Sequence, residues 1–275
     1  MIRKRKPFCE RKNTAMNCYT QITEHITRLR VPFSDIFTTV FLVKTPAGTL
    51  LFDTATYDSD ITDIILPALA ELGVTADTLS YVLLSHPHRD HAGGVPALLA
   101  ANPTITVVAG SEAIRGTYTV PHLLTLADGD MLLDCLQVVA IPGHTPDSIG
   151  ILDTRTKTLL SGDGLQLYGI YGSGEWGANI RYPADHIKAL DRIRALDIDV
   201  IHPAHNYHPL GDVYEGREQI LRALDACAAP LYLIRDMIRE NPDVLDEDLT
   251  RAYNAMGDPP TLGAHVFAAV RRDLL

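Results

Sequence analysis

The chain has 275 residues, of which 46% are hydrophobic, and a formal net charge of −10. That much apolar material supports a sizeable core in one or two domains. The acidic balance excludes a nucleic-acid backbone as the main partner, because phosphate neutralisation needs clustered Lys and Arg, and a small-molecule substrate is expected instead.

In chain order, residues 1 to about 18 read as a disordered leader: Met1 to Pro7 is basic, but Glu10, Arg11, Lys12 and Asn13 follow where a signal peptide would carry an apolar region. Met16 is an alternative start. No apolar run approaches the roughly 18 residues that span a bilayer, so no membrane partner is expected and the location is read as cytoplasmic. Cys9, Cys18, Cys135 and Cys227 are scattered without CxxC spacing and read as reduced thiols, with no sign of a disulfide framework or thiolate metal site.

Phe37–Val43 and Thr49–Phe52 are β-rich runs around the turn Lys44-Thr45-Pro46-Ala47-Gly48, a hairpin ending in Asp53. Asp53 reads either as a partner that holds a ligand histidine or as a turn cap. Asp60 to Leu72 has helical periodicity and stops at Gly73. The apolar run Tyr81–Leu84 then empties into His86-Pro87-His88-Arg89-Asp90-His91, where three imidazoles and a carboxylate sit in a loop after a buried strand. Such nitrogen and oxygen donors suit zinc and similar divalent ions.

A helix over 95–102, a strand over 105–109 and a β-region over 131–141 follow, the last closing on Pro142-Gly143-His144-Thr145. The hairpin of 149–153 and 158–161 ends on Gly162-Asp163-Gly164. Residues 165–182, with Tyr168, Tyr171, Trp176 and Tyr182, read as a loop that either lines a pocket or packs on the domain. A helix from Asp185 to Leu196 leads to the strand Asp199–His202 and to Pro203-Ala204-His205, with His208 close behind. Residues 213–241, 244–256 and 264–274 read as helices with no strand between them. The expected organisation is a leader (1–18), a core (19–211) and a helical extension (212–275) packed on it, with a cover over the substrate mouth or a homodimer interface as other roles for those helices.

Separate strand ends thus deliver His86, His88, Asp90 and His91, then His144, then Asp163, then a histidine of the 202–208 loop. Strand ends of a layered α/β sandwich converge on one edge, so these residues are expected in one site. Seven ligands exceed one tetrahedral ion and suit two metals that share a carboxylate.

With these motifs the chain resembles the metallo-β-lactamase fold superfamily. Its HxHxDH signature stands here at His86 to His91, and its further positions match at Pro142-Gly143-His144-Thr145, Ser161-Gly162-Asp163 and Pro203-Ala204-His205, over about residues 35 to 208. The resemblance implies an α/β four-layer αββα sandwich, here with a helical C-terminal extension. It implies one divalent ion on His86, His88 and His144, a second on Asp90, His91 and His205, and Asp163 between them, with zinc ahead of manganese or iron. His205 is preferred over His202 on motif register.

The activity implied is hydrolysis of a small carboxylic ester, lactone or thioester by water made nucleophilic between two ions, which lower its pKa toward about 7. Asp90 is the candidate to orient that water or pass a proton to the leaving group. Tyr168, with Tyr171 beside it, is the candidate donor to the oxyanion. Lactone-hydrolysing members carry a tyrosine three residues after the bridging Asp, where this chain has Gln166. Arg181 and Lys188 are loose counterparts of the basic residues that grip glutathione carboxylates in the glyoxalase II branch. The other reading is a mononuclear-iron persulfide dioxygenase, which would use His86, His144 and Asp163.

Overall fold

The computed structural model describes residues 18–33, 36–165, 180–206, 211–256 and 262–275. Tyr168, Tyr171, Gln166, Trp176, His208 and nearly all of the expected leader lie outside them.

The chain opens with an antiparallel meander of β1 (Tyr19–Gln21), β2 (Ile26–Phe33), β3 (Ile36–Thr45) and β4 (Gly48–Phe52). Three parallel strands extend it: β5 (Tyr81–Leu83), β6 (Thr106–Ala109) and β7 (Leu123–Thr125), completing a seven-stranded sheet in sequential order. The crossovers are helical, as parallel pairing requires. They run through α1 (Asp58–Asp60), a π-helical turn at Ile61–Ile65 and α2 (Leu66–Glu71), then through α3 (Arg89–Ala92) and α4 (Val95–Ala101).

The second sheet has the order β13-β12-β11-β10-β9-β8. Its strands are β8 (Met131–Leu132), β9 (Leu136–Ala140), β10 (Ile149–Asp153), β11 (Thr158–Gly162), β12 (Val200–Pro203) and β13 (Tyr214–Glu215). Helix α5 (Pro183–Ala195) makes the crossover between the parallel pair β11 and β12. Helices α6 (Gly216–Glu240), α7 (Asp246–Asn254) and α8 (Ala264–Asp273) close the chain. Among the described residues no helix is long and apolar enough to cross a membrane.

Burial follows the layers. Phe41, Phe52, Val108, Val138 and Ile151 fill the space between the sheets. Leu42, Leu51 and Val82 meet Ile61, Ile65, Leu69 and Leu98 on the outside of the first sheet, and Leu159 and Ile201 meet Leu190, Ile193 and Leu224 on the outside of the second. This is the expected αββα sandwich. Because both faces of each sheet are covered, β3, β10 and β11 read as near-continuous apolar runs rather than alternating ones. A fourth cluster, with Ile234, Tyr253 and Phe267, joins α6, α7 and α8.

Several elements depart from the sequence reading. Residues 19–33 form two strands: the Arg28 and Arg30 positions of β2 break its apolar pattern, yet both pair with Asp212 across the fold. Strand β7 has no counterpart among the expected elements. The β-region over 131–141 is a tight hairpin, broken where Leu133 (φ 50°) and Asp134 (φ 64°) turn the backbone left-handed. Within the tail read as all helix, Tyr214 and Glu215 instead add an antiparallel edge strand to β12, so the sheet continues into that segment.

The sheets are stitched at one edge by backbone bonds: Thr39 N donates to Ala204 O (2.7 Å) and Ile149 N to Ser85 O (2.9 Å). At the opposite end of β10, Asp153 is buried and takes a hydrogen bond from Thr156 Oγ1 (2.6 Å), and its carboxylate also meets the His25 ring, which ties the β1–β2 turn to the second sheet. His25→Ala leaves that carboxylate short of a partner and is expected to lower stability by about 1–3 kcal/mol. Urea unfolding reads this, and an unchanged midpoint would mean the tie contributes nothing.

Candidate metal centre

All the expected ligands stand just past strand ends at the stitched edge. β5 runs out into Ser85 and His86, β9 into the loop of His144, β11 into Asp163 and β12 into His205. The structure brings them together as two adjoining groups, His86 with His88 and His144, and Asp90 with His91, Asp163 and His205. In each group one nitrogen or oxygen per residue lies within 4.8 Å of all the others. Asp163 faces both: its Oδ1 is 3.3 Å from His91 Nε2 and 3.3 Å from His205 Nε2, and its Oδ2 is 3.7 Å from His144 Nε2. Asp90 Oδ2 lies 3.3 Å from His205 Nε2, and its side chain, 21% exposed, is the most open of its group.

The rings are aimed from behind. Asp53, fully buried in the left-handed region (φ 64°), accepts from Ser85 N (2.7 Å) and Ser85 Oγ (2.9 Å), and its Oδ2 lies 2.8 Å from His91 Nδ1. Of its two readings, the structure therefore supports the partner of a histidine. Ser85 Oγ also sits 3.1 Å from His86 Nδ1, and Phe37 O accepts from His205 Nδ1 at 2.7 Å. Each of these contacts fixes the Nδ1 side of a ring and turns Nε2 toward the cluster. Sequence pattern alone does not reveal Ser85 or the Phe37 carbonyl in this role, since neither belongs to a ligand motif. Gly162 lets β11 come this close: its φ is +54°, and a Cβ there would lie 2.6 Å from Ser85 Cβ.

The electrostatics are those of a cation site. His86 Nε2 is buried with no hydrogen-bond partner, and His91 Nε2 faces only the carboxylates of Asp163 (3.3 Å) and Asp90 (3.5 Å), an arrangement that a cation would satisfy. His144 Nε2 and His88 Nδ1 are 2.7 Å apart, a hydrogen-bond distance at which one ring donates to the other. Burial and the neighbouring rings His91 and His144 hold His86 well below the usual imidazole range, and burial with His144 brings His88 to about 4, which keeps both neutral and able to ligate. Burial works to raise the Asp163 and Asp90 carboxyls, but His91 and His205 beside them override it and hold both well down, hence ionised. Burial likewise works to lower His91 and His205, and the same carboxylates override it and raise both. The carboxylate half thus draws positive charge, and in the other half His86 and His88 are neutral donors. This donor set fits two divalent ions.

His202 lies elsewhere. Its ring is buried beside Arg28, Arg30 and Asp212, 6.0 Å from the Phe41 ring, and burial with Arg28 lowers it to about 4. The geometry therefore puts His205, not His202, in the cluster. Of the basic residues, Lys188 pairs with Asp185 on the surface (3.4 Å), whereas the Arg181 backbone N donates to Gly143 O at 2.8 Å while its side chain is exposed and its charge acts on His265.

A two-sheet sandwich with adjoining groups of metal-ligating side chains at one edge defines the class. Residues 34–205 match the sequence profile of the Metallo-beta-lactamase superfamily, and the chain belongs to it. It is 30% identical over 199 residues to the lactamase-like protein vrtG of Penicillium aethiopicum, an alignment that takes in 70% of this chain and 60% of vrtG, so the chain spans less than two thirds of that relative. A hydroxyacylglutathione hydrolase of Vibrio parahaemolyticus is also 30% identical, over 229 residues, with 74% of this chain and 84% of that protein aligned. Among solved structures, the metallo-beta-lactamase family protein TTHA1429 of Thermus thermophilus superposes with a TM-score of 0.63 over 91% of this chain and 92% of its own, at 18% identity, a likeness of fold.

Asp53→Asn removes the acceptor that aligns His91 and is expected to weaken divalent-metal binding about 10–100-fold, read by titration against a chromophoric chelator. In the same assay His202→Ala is expected to leave metal occupancy unchanged, and loss of an ion there would move the ligand assignment from His205.

Proposed function

We propose that the protein is a dinuclear metal-dependent hydrolase of a small carboxylic ester, lactone or thioester, with zinc as its metal. The observation that carries this reading is Asp163, a buried carboxylate whose two oxygens face the two ligand groups separately. By this reading His86, His88 and His144 hold one ion, Asp90, His91 and His205 the other, and Asp163 spans them. When bound, such ions lower the pKa of a shared water toward about 7 and polarise the acyl oxygen.

The chain's own residues supply the rest. Asp53, Ser85 and the Phe37 carbonyl keep the imidazoles in one tautomer and orientation, so little reorganises during the reaction. Asp90, on the open side, orients the attacking water and passes a proton to the departing alcohol or thiol. Tyr168 remains the candidate donor to the oxyanion.

Among the three substrate classes, likeness to a hydroxyacylglutathione hydrolase along 84% of its length supports a thioester. A glutathione-type substrate carries carboxylates, and Arg181, whose backbone N donates to Gly143 O in the His144 loop, and Lys188 remain the candidate counterparts. The persulfide dioxygenase reading needs a single ion, whereas the gathering of Asp90, His91 and His205 into a second complete group favours two.

The test is a hydrolysis panel of thioesters, lactones, phosphodiesters and a β-lactam, with metal content read on the same sample. Thioester turnover with about two zinc ions per chain is expected, and one bound iron with oxygen uptake would overturn the reading. Asp163→Ala is expected to abolish turnover and reduce metal content, since it removes the one group common to both ions. Retention of both would show that the centre lies elsewhere.

A further inference from the structure

His186 belongs to none of the ligand motifs. It lies one turn into α5, 1% exposed, and neither ring nitrogen has a hydrogen-bond partner of good geometry. Burial keeps its imidazole neutral, at about 4, against the opposing pull of the Pro142 backbone, with His144 adding to the lowering. A buried ring whose polar contact is limited to the Pro142 backbone costs stability, and an aliphatic side chain would fill the volume without that cost.

What the ring touches is the loop that carries His144. Gly143 has φ +147°, and a Cβ on it would lie 2.5 Å from His186 Nδ1, 2.6 Å from its Cβ and 2.7 Å from its Cγ. The imidazole therefore fills the space on the side-chain side of residue 143, immediately before the ligand. The same loop is gripped from the start of α5: Arg181 N and Tyr182 N both donate to Gly143 O, at 2.8 and 3.0 Å. His186 N in turn donates to Tyr182 O at 2.9 Å, which makes grip and ring one rigid unit. On the other side, Thr145 Oγ1 is held by Asp147 Oδ1 (2.9 Å) and Ser148 Oγ (2.8 Å). His144 is thus fixed downstream by its own loop and upstream by α5.

We propose that His186 is a positioning residue for the three-histidine half of the centre, setting the His144 loop by packing against Gly143. The inference rests on the two-ion reading above. It gives α5, on the outer face of the second sheet, a direct mechanical link to one ion site, while the ligands of the other are held by Asp53 and Phe37.

The experiment is metal titration of the metal-free full chain with cobalt(II), following occupancy and the visible ligand-field spectrum, in five proteins: wild type, His186→Ala, His144→Ala, His205→Ala and the double variant His144→Ala with His186→Ala. His144→Ala and His205→Ala each identify the spectrum and affinity left when one half is lost. His186→Ala is expected to weaken one ion about 10–100-fold, to give the spectrum of His144→Ala, and to leave the other ion within about twofold of wild type. Adding His186→Ala to His144→Ala is expected to cause no further loss. If the alanine variant does not fold, His186→Gln, which lacks the ring behind Gly143, serves with the same expected outcome. Wild-type affinity for both ions, or equal weakening of both, would overturn the proposal. If His144→Ala itself loses no ion, the two-ion reading fails instead, and the two failures are told apart within one data set.

Discussion

The constraint on which this structure depends is the burial of the Asp163 carboxylate among imidazoles at the edge of a sandwich. Asp163 is 4% exposed and His91 and His205 are fully buried, a combination that strongly disfavours uncompensated charge. Hydrogen bonding alone does not resolve it. The buried Nε2 of His86 is left without a donor or acceptor, and that of His91 meets only carboxylate oxygens. Divalent cations satisfy the carboxylates and the imidazole lone pairs together. The folded chain thus makes a site that is incomplete as a purely protein structure, and the fold supplies the rigidity to keep it so.

That rigidity comes from where the sheets meet. Parallel pairing of β4 with β5 and of β11 with β12 sends four strand ends to the same edge, and the backbone bonds Thr39 N to Ala204 O and Ile149 N to Ser85 O join the sheets there. Asp53 and Ser85 form the hub. One carboxylate in a left-handed turn fixes both Ser85 and His91, and Ser85 Oγ reaches His86. The strain at Asp53 is sustained because these three bonds and a backbone bond to Leu83 O all hold the same conformation.

The ligands are legible in the sequence because each lies in a short motif directly after an apolar strand, and that context is local. Their supports are not. Asp53 is separated from His91 by 38 positions and Phe37 from His205 by 168, so their roles exist only once the sheets are assembled. Strand β2 escapes because two of its positions are arginines whose partner, Asp212, is more than 180 residues away. Strand β13 escapes because two residues carry too little periodicity, and a helix of 25 residues follows at once. His186 carries a helical pattern and nothing else; only the missing Cβ of Gly143 explains why a ring is there.

The two halves of the centre differ in charge, and that difference bears on what can bind. Three imidazoles, of which His86 and His88 are held neutral, face one side, while two ionised carboxylates and two imidazoles face the other. In the proposed two-ion centre Asp90 and Asp163 would together offset half the charge of the ions, and the remainder would attract electron-rich oxygen at short range because the cluster is buried. Over the longer range set by the Debye length, the formal charge of −10 opposes polyanions.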